Sequence, residues 1–228
     1  MVKPAQELID KYTGAQLTEK LWETIEEIQG LEPFAPLKKE TQDFLDQEVT
    51  ATVWHGTRRK ESMEQLKRQG FCSYTEDQAV NWLAEASEKL AEKTKVGPRT
   101  AKYMGRIKET VLHEVLQPYR VKFSVTGFEE AACGEYPTQL DSGWASRNPE
   151  FMWDFLHART ITTPKGKEIT DEILTEMFDD PMKVKLRIKL TARQLLNPQD
   201  IHLEQRCFKP EEIVSIEKCP SKKGGGEI

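Results

Sequence analysis

Three kinds of hydrogen-bonding group follow one another in residues 55–57 of the chain. His55 carries an imidazole, Gly56 leaves the main chain bare, and Thr57 adds a hydroxyl. They end a short run rich in Val, Thr and Trp, which predicts a buried strand. Such a strand end suits a ligand with an amide and ribose hydroxyls, because Gly lets a planar group approach the backbone. The tripeptide is also ordinary strand-to-turn chemistry, so the flanking segments must decide.

The segments after this tripeptide predict a helix and then a second strand. The polar run 58–69 closes on Gly70, which is a good helix stop. Residues 72–75 predict a strand, and it contains three hydroxyl side chains: Ser73, Tyr74 and Thr75. The helix that follows buries small and apolar residues, with Trp82 beside them.

This order of elements resembles the nicotinamide-binding core of the ADP-ribosyltransferases, in the branch with His instead of Arg on the first core strand. The motifs that carry the resemblance are VWHGT, a helix ending in Gly-Phe, and Ser-Tyr-Thr. The resemblance implies that NAD is the substrate and that His55 contacts its adenosine ribose. It also implies that the main chain of Gly56, beside Thr57, holds the nicotinamide carboxamide.

The resemblance assigns further NAD contacts to the second strand and the helix after it. Ser73 and Thr75 stand where the family has its second-strand hydroxyl close to the nicotinamide ring. Tyr74 is the nearest aromatic residue that can stack on the ring, and Trp82 is the next. The alternative for both aromatic residues is packing in the core.

The family also requires a glutamate on a late strand, and Glu204 meets this requirement. Residues 201–208 predict a strand, and a Pro-Glu-Glu turn leads to the next strand at Ile213, nine residues after Glu204. This is similar to the poly(ADP-ribose) polymerase branch and to bacterial, toxin-like members. The resemblance therefore implies that Glu204 is catalytic; an exposed strand glutamate is the alternative.

The chemistry explains why a carboxylate is needed and a metal is not. Breaking the bond between nicotinamide and ribose develops positive charge on the ribose, and a carboxylate bonded to the 2′-hydroxyl lowers that barrier. Nicotinamide then leaves as a neutral molecule. His202 stands where the arginine-modifying branch has Gln or Glu, so arginine is a disfavoured acceptor. We expect His202 to orient or deprotonate another acceptor, with an exterior histidine as the alternative.

The resemblance implies an α+β fold with a split, mostly antiparallel sheet, and it spans about residues 48–217. We divide the chain into an acidic helical segment (1–47), a catalytic domain (48–219) and a flexible tail (220–228). Residues 1–50 hold five Lys against eleven Asp and Glu, whereas the whole chain carries a net charge of −5. Helical spacing predicts helices at 5–11, 17–28 and 37–45. These helices either cap the core or form a regulatory or targeting segment.

Two later segments bear on where a ligand binds. Residues 182–190 alternate apolar side chains with Lys and Arg, which predicts a strand with one buried and one wet face. Residues 127–148 are rich in Gly and Pro, which predicts that most of this stretch is loop. Such a loop could cover NAD or recognise the acceptor. The cationic run 89–108 either contacts phosphates or forms a solvated helix face.

Composition limits the classes of protein and site. The chain has no long apolar run and no leader-like start, so we expect a soluble, cytoplasmic protein with no membrane partner. Four cysteines lie far apart and never form a CxxC pair, which argues against zinc and predicts reduced thiols. The GxGxxG fingerprint is missing, so a Rossmann site is not expected.

The expected activity is transfer of ADP-ribose from NAD to a protein or nucleic acid acceptor, with release of nicotinamide. Two alternatives stay open at this point. One is an NAD glycohydrolase on the same scaffold, with water as the acceptor. The other is an interaction module that keeps the fold without turnover.

Overall fold

The computed structural model describes residues 4–30, 36–57, 61–72, 123–133, 182–199, 201–203 and 207–219, with single helical positions at 81, 85, 88–89, 92–93, 172–173 and 176–177. Most of the cationic run 89–108 and the predicted tail 220–228 lie outside this part of the chain.

Helices and strands are mixed along the described chain. The helices are α1 (Ala5–Lys11), α2 (Gly14–Gln29), α3 (Lys39–Leu45), α4 (Met63–Gln69) and α5 (Glu129–Cys133), with 3₁₀ turns at Gln194–Leu196 and Pro210–Glu212. The strands are β1 (Glu48–Thr57), β2 (Phe71–Cys72), β3 (Phe123–Val125), β4 (Met182–Thr191), β5 (Ile201–Leu203), β6 (Cys207–Phe208) and β7 (Ile213–Lys218).

The strands form three antiparallel sheets among the described residues. The largest has the order β1-β4-β7, and the two smaller ones pair β2 with β6 and β3 with β5. A single bridge between Trp54 and Thr126 connects β1 to the residue after β3. The predicted α+β class and antiparallel pairing are therefore confirmed.

Strand β4 forms the centre of the largest sheet because its sequence alternates strictly. Strand side chains point to opposite faces in turn, so one set can be wholly apolar. That set is buried: Met182, Val184, Leu186, Ile188 and Leu190. The cations between them lie on the other face, where Arg187 and Lys189 are exposed. The prediction for residues 182–190 is confirmed.

Helix α1 covers the open edge of β1 near its start. The Gln6 amide donates to the Thr50 carbonyl (3.1 Å), and the Thr50 N–H donates to the Gln6 side-chain oxygen (2.8 Å). The Ala5 N–H donates to the side chain of Gln47 (2.9 Å). Buried residues of α1–α3 join the same core as the strands: Ala5, Leu8, Leu21, Ile25, Phe44 and Leu45. The division of the chain at residue 47 stays a prediction.

Helix α4 ends at a glycine that the fold requires. Ser62 and Gln65 form a capping box at its start, and Gly70 follows its end with φ 75°. A Cβ atom at Gly70 would lie 2.2 Å from the Phe208 carbonyl oxygen. Gly70 therefore lets β2 approach β6 closely.

Helix α5 occupies part of the stretch 127–148, most of which is predicted to be loop. Residues 129–133 are helical, and Lys183 of β4 donates a hydrogen bond to Glu129 at the start of this helix. The Gly127 N–H donates to the Pro198 carbonyl (2.6 Å), which fixes the entry to α5. The Gly and Pro content that favours a loop is concentrated after residue 133, outside the described residues.

The expectation of reduced thiols is wrong, because all four cysteines are joined in disulfides. Cys72 is bonded to Cys207, and Cys133 to Cys219. The partners lie 135 and 86 residues apart in sequence. The sequence spacing gives no indication of these pairs, since strand pairing and α5 bring them together. The first disulfide joins β2 to β6, and the second joins α5 to the end of β7.

Candidate functional site

The strand end that carries His55 belongs to the core face of the largest sheet. We use core face for the side of β1 and β4 that carries Val53, His55, Val184 and Leu186. His55 is 6% exposed and Thr57 is fully buried. Gly56 lies between them, so its missing side chain would point to the opposite face. The tripeptide thus presents two side chains to one face and its main chain at the strand edge.

The His55 ring stacks on an aromatic residue of a neighbouring strand. Its centroid lies 5.9 Å from that of Phe71, with 17° between the ring planes. Phe71 in turn packs against Phe208 at 5.2 Å. We call His55, Phe71 and Phe208 the aromatic cluster. It unites β1 with the β2–β6 pair, and the Cys72–Cys207 disulfide holds that pair one residue away.

Beside the aromatic cluster, β1 separates from β3. The Trp54 N–H donates to the Thr126 carbonyl (2.7 Å), and the Thr126 N–H donates back (2.8 Å). Backbone groups alternate direction along a strand, so those of Gly56 face the same edge as those of Trp54. The position opposite Gly56 is Ser124, and in the described chain the bridge at Trp54 is not continued by pairing there. Within the described residues, the Gly56 main chain is therefore not paired with β3.

The histidine predicted to act on the acceptor lies in a different environment. His202 is exposed in β5, whereas its neighbours Ile201 and Leu203 are 2% and 5% exposed. Its backbone pairs with Ser124, and its carbonyl accepts a hydrogen bond from the Gln194 amide (3.4 Å). The ring is thus on the side of β5 away from the core, and its predicted role in handling the acceptor stays a prediction.

The remaining predicted site residues lie outside the described part of the chain. They are Ser73, Tyr74, Thr75, Trp82 and Glu204. Their chain neighbours are described: Cys72 precedes the first three, and Leu203 and Cys207 stand on either side of residues 204–206. The predicted meeting of His55 with Glu204 stays a prediction.

The sequence interpretation missed the aromatic partners of His55. Phe71 and Phe208 lie in strands of two residues each, which are too short for alternation to predict. The one available signal was Gly70, since a glycine before an aromatic residue often marks a close approach of two backbones.

The opposite side of the sheet, which we call the outer face, carries four cations on β4. They are Lys183, Lys185, Arg187 and Lys189. The ammonium groups of Lys183 and Lys185 lie 5.5 and 5.1 Å from the centroid of the Trp54 ring. Trp54 is only 8% exposed, so these lysines shield an aromatic residue that faces away from the core.

The end cations of this row have carboxylate partners, whereas the middle ones have none among the described residues. Lys183 donates a hydrogen bond to Glu129 and lies 3.4 Å from Glu217, and the hydrogen bond to Glu129 raises the pKa of Lys183. Lys189 bonds Glu48 at 2.6 Å. Within the described residues, no carboxylate forms an ion pair with the remaining two, Lys185 and Arg187.

A groove of about 820 Å³ opens on the outer face. Its walls come from the junction of α1 and α2, from β1 and β4, and from the start of α5. Trp54, Lys185 and Arg187 lie among its lining residues, but His55, Gly56 and Thr57 do not. The outer groove is therefore separate from the aromatic cluster on the core face.

The described residues contain no group of three or more His, Cys, Asp or Glu side chains placed to hold a metal ion. Of the helices that the structure describes, none combines the length and apolarity needed to cross a bilayer.

Comparisons with protein-family models, curated proteins and solved structures gave no match to this chain.

Proposed function

We propose that this protein transfers ADP-ribose from NAD to a protein or nucleic acid acceptor and releases nicotinamide, on an ADP-ribosyltransferase-like fold. The observation that carries the proposal is the buried His55 stacked on Phe71, at the point where β1 separates from β3. A buried imidazole beside an open sheet edge suits a ligand that is both aromatic and rich in hydroxyls.

The main chain of Gly56 supports a role in holding nicotinamide. A primary carboxamide has one acceptor and two donors, so a strand N–H and C=O that β3 does not pair can bond it at both ends. Gly56 also leaves room for the ring, since it has no Cβ atom. His55 would then donate to, or accept from, a ribose hydroxyl on the same side of the strand.

The position of Glu204 in the chain supports its proposed catalytic role. Cys207 lies three residues after Glu204, pairs with Cys72 across β2 and β6, and is bonded to it. Cys72 in turn follows Phe71, the stacking partner of His55. Covalent reach thus limits how far Glu204 can lie from the aromatic cluster.

In the proposed reaction, the bond between the nicotinamide nitrogen and the ribose C1′ breaks first. Its electron pair leaves with nicotinamide, which becomes neutral, and positive charge develops on the ribose. The Glu204 carboxylate accepts a hydrogen bond from the 2′-hydroxyl and stabilises that charge. An acceptor nucleophile then bonds C1′ from the opposite face and loses its proton, for which His202 is the proposed base.

Nicotinamide release tests this proposal. Purified protein is incubated with NAD and a cell lysate as the source of acceptor, and free nicotinamide is quantified by chromatography. We expect Glu204→Gln to lower the rate by on the order of a hundredfold to a thousandfold, as for loss of one electrostatic stabiliser. Glu211→Gln is the matched control, because Glu211 is an exposed carboxylate seven residues further on.

Nicotinamide release that Glu204→Gln leaves unchanged, or no release by the wild-type protein, would contradict the proposal. The fate of the ADP-ribose separates transfer from hydrolysis. Free ADP-ribose formed at the same rate without lysate would identify an NAD glycohydrolase instead.

A further inference from the structure

The outer groove has the dimensions of a small-molecule site. Its volume of about 820 Å³ falls within the roughly 300–1,000 Å³ that is usual for such sites. Elements distant in sequence build it, including the α1–α2 junction, β1, β4 and the start of α5. The proposed NAD chemistry does not use any of these lining residues.

Two cations line the outer groove, Lys185 and Arg187, and no described carboxylate forms an ion pair with either. Lys185 and Arg187 are two residues apart on one face of β4, so their Cβ atoms are about 7 Å apart. Like charges at this separation repel, and a bound anion would relieve the repulsion. At the ends of the row, Lys183 and Lys189 form ion pairs with Glu129 and Glu48. Among the described residues, Lys185 and Arg187 in the middle of the row form none.

A phosphate fits these two cations better than a single-point anion does. The Arg187 guanidinium can bond two phosphate oxygens at once, and the Lys185 ammonium can bond a third. The groove is also lined by the first residues of α2, whose first turn contains no acidic side chain. The partial positive charge of that helix end adds to the same field.

The remaining lining supplies acceptors and an apolar surface. Asp10 and Glu130 line the groove, and both can accept hydrogen bonds from ligand hydroxyls. Phe128, Leu195 and Pro198 give it an apolar side suited to a flat ring. Phosphate, hydroxyls and a flat ring occur together in the nucleoside phosphates.

We infer that the outer groove binds a nucleoside phosphate, with its phosphate between Lys185 and Arg187 and its sugar hydroxyls toward Asp10 and Glu130. This site is independent of the proposed NAD site. Trp54 faces the groove, whereas the next residue, His55, faces the core.

Calorimetric titration of the full chain with ADP at low salt tests the inference. We expect Lys185→Gln combined with Arg187→Gln to weaken binding by roughly tenfold or more, because charge-assisted hydrogen bonds to phosphate are lost. Lys189→Gln is the matched control on the same face of β4, since Lys189 lies outside the groove lining. Circular dichroism checks the fold of every variant.

Any one of the following outcomes counts against the inference. The inference is overturned if ADP gives no binding at millimolar concentration, or if the double variant binds it like the wild type. Inorganic phosphate that binds as tightly as ADP would remove the nucleoside from the assignment. Arg187→Gln alone, at an exposed position, serves if the double variant does not fold.

Discussion

The two faces of the β1–β4 pair differ in what lies over them. On the core face, apolar side chains surround one imidazole, which stacks on a phenyl ring of β2. On the outer face, four cations surround one indole, and a groove opens beside it. A strand alternation of two residues is enough to separate a buried aromatic environment from a charged one. The neighbouring residues Trp54 and His55 therefore lie in different environments.

The largest expected effect comes from the packing difference between the faces. Leu186 is completely buried on the core face, so Leu186→Ala should lower the free energy of unfolding by about 2–5 kcal/mol. Its neighbour Arg187 is exposed on the outer face, and Arg187→Ala should change it by less than about 0.5 kcal/mol. Urea unfolding measures both. Similar losses of unfolding free energy in the two variants would show that the two faces do not differ in packing.

The next largest effect is expected from the two disulfides, because each holds elements that pack on one face of the β1–β4 pair. Cys72–Cys207 holds the strands that contact His55, and Cys133–Cys219 holds α5, whose Glu129 bonds Lys183 on the outer face. Replacing either pair by serines should lower the free energy of unfolding by about 2–4 kcal/mol.

Only the Cys72–Cys207 replacement should also weaken NAD binding, because it loosens the aromatic cluster. Calorimetry with NAD on both serine variants makes this test. Equal weakening of NAD binding by both replacements would show that the β2–β6 pair does not hold the NAD site in particular.

A smaller effect comes from the ion pair that ties α5 to β4. Lys183 is 15% exposed at its side chain, so Glu129→Gln should lower the free energy of unfolding by about 1 kcal/mol near neutral pH. Pairing raises the pKa of Lys183 above its ordinary value of 10.5, so the folded state holds the proton more tightly. The stabilisation is present below that value and is lost as the pH rises through the raised pKa.

Unfolding of wild type and Glu129→Gln between pH 7 and pH 11 should therefore show a difference that begins to shrink at the alkaline end. A difference that stays constant over this range would mean that Glu129 acts through packing instead. Lys39→Gln provides the surface comparison, because Lys39 and Asp43 form an exposed pair on α3 that contributes little.

The sequence predicted those elements whose periodic pattern of apolar residues spans enough positions to be recognised. The β4 alternation gave its buried and charged faces, and helical spacing gave α1 with its observed bounds. Gly70 correctly marked the end of α4. In each case, one local periodicity or one glycine determines the structure without reference to distant residues.

Features that depend on distant contacts were not predicted. Phe71 and Phe208 meet His55 through strands of two residues, and Cys72 pairs with a cysteine 135 residues away. The outer groove depends on how the α1–α2 junction lies against β1 and β4. Helix α5 was hidden in a Gly-rich stretch, although its own residues, Glu-Glu-Ala-Ala-Cys, contain no glycine.

Equilibrium binding of NAD to wild type, to His55→Gln and to the Lys185→Gln, Arg187→Gln double variant tests the central claim most directly. We expect His55→Gln to weaken binding by roughly tenfold or more, since it alters the imidazole proposed to bond the ribose. The double variant should bind NAD like the wild type. Loss of NAD binding in the double variant with none in His55→Gln, or no binding by the wild type, would contradict the assignment of NAD to the core face.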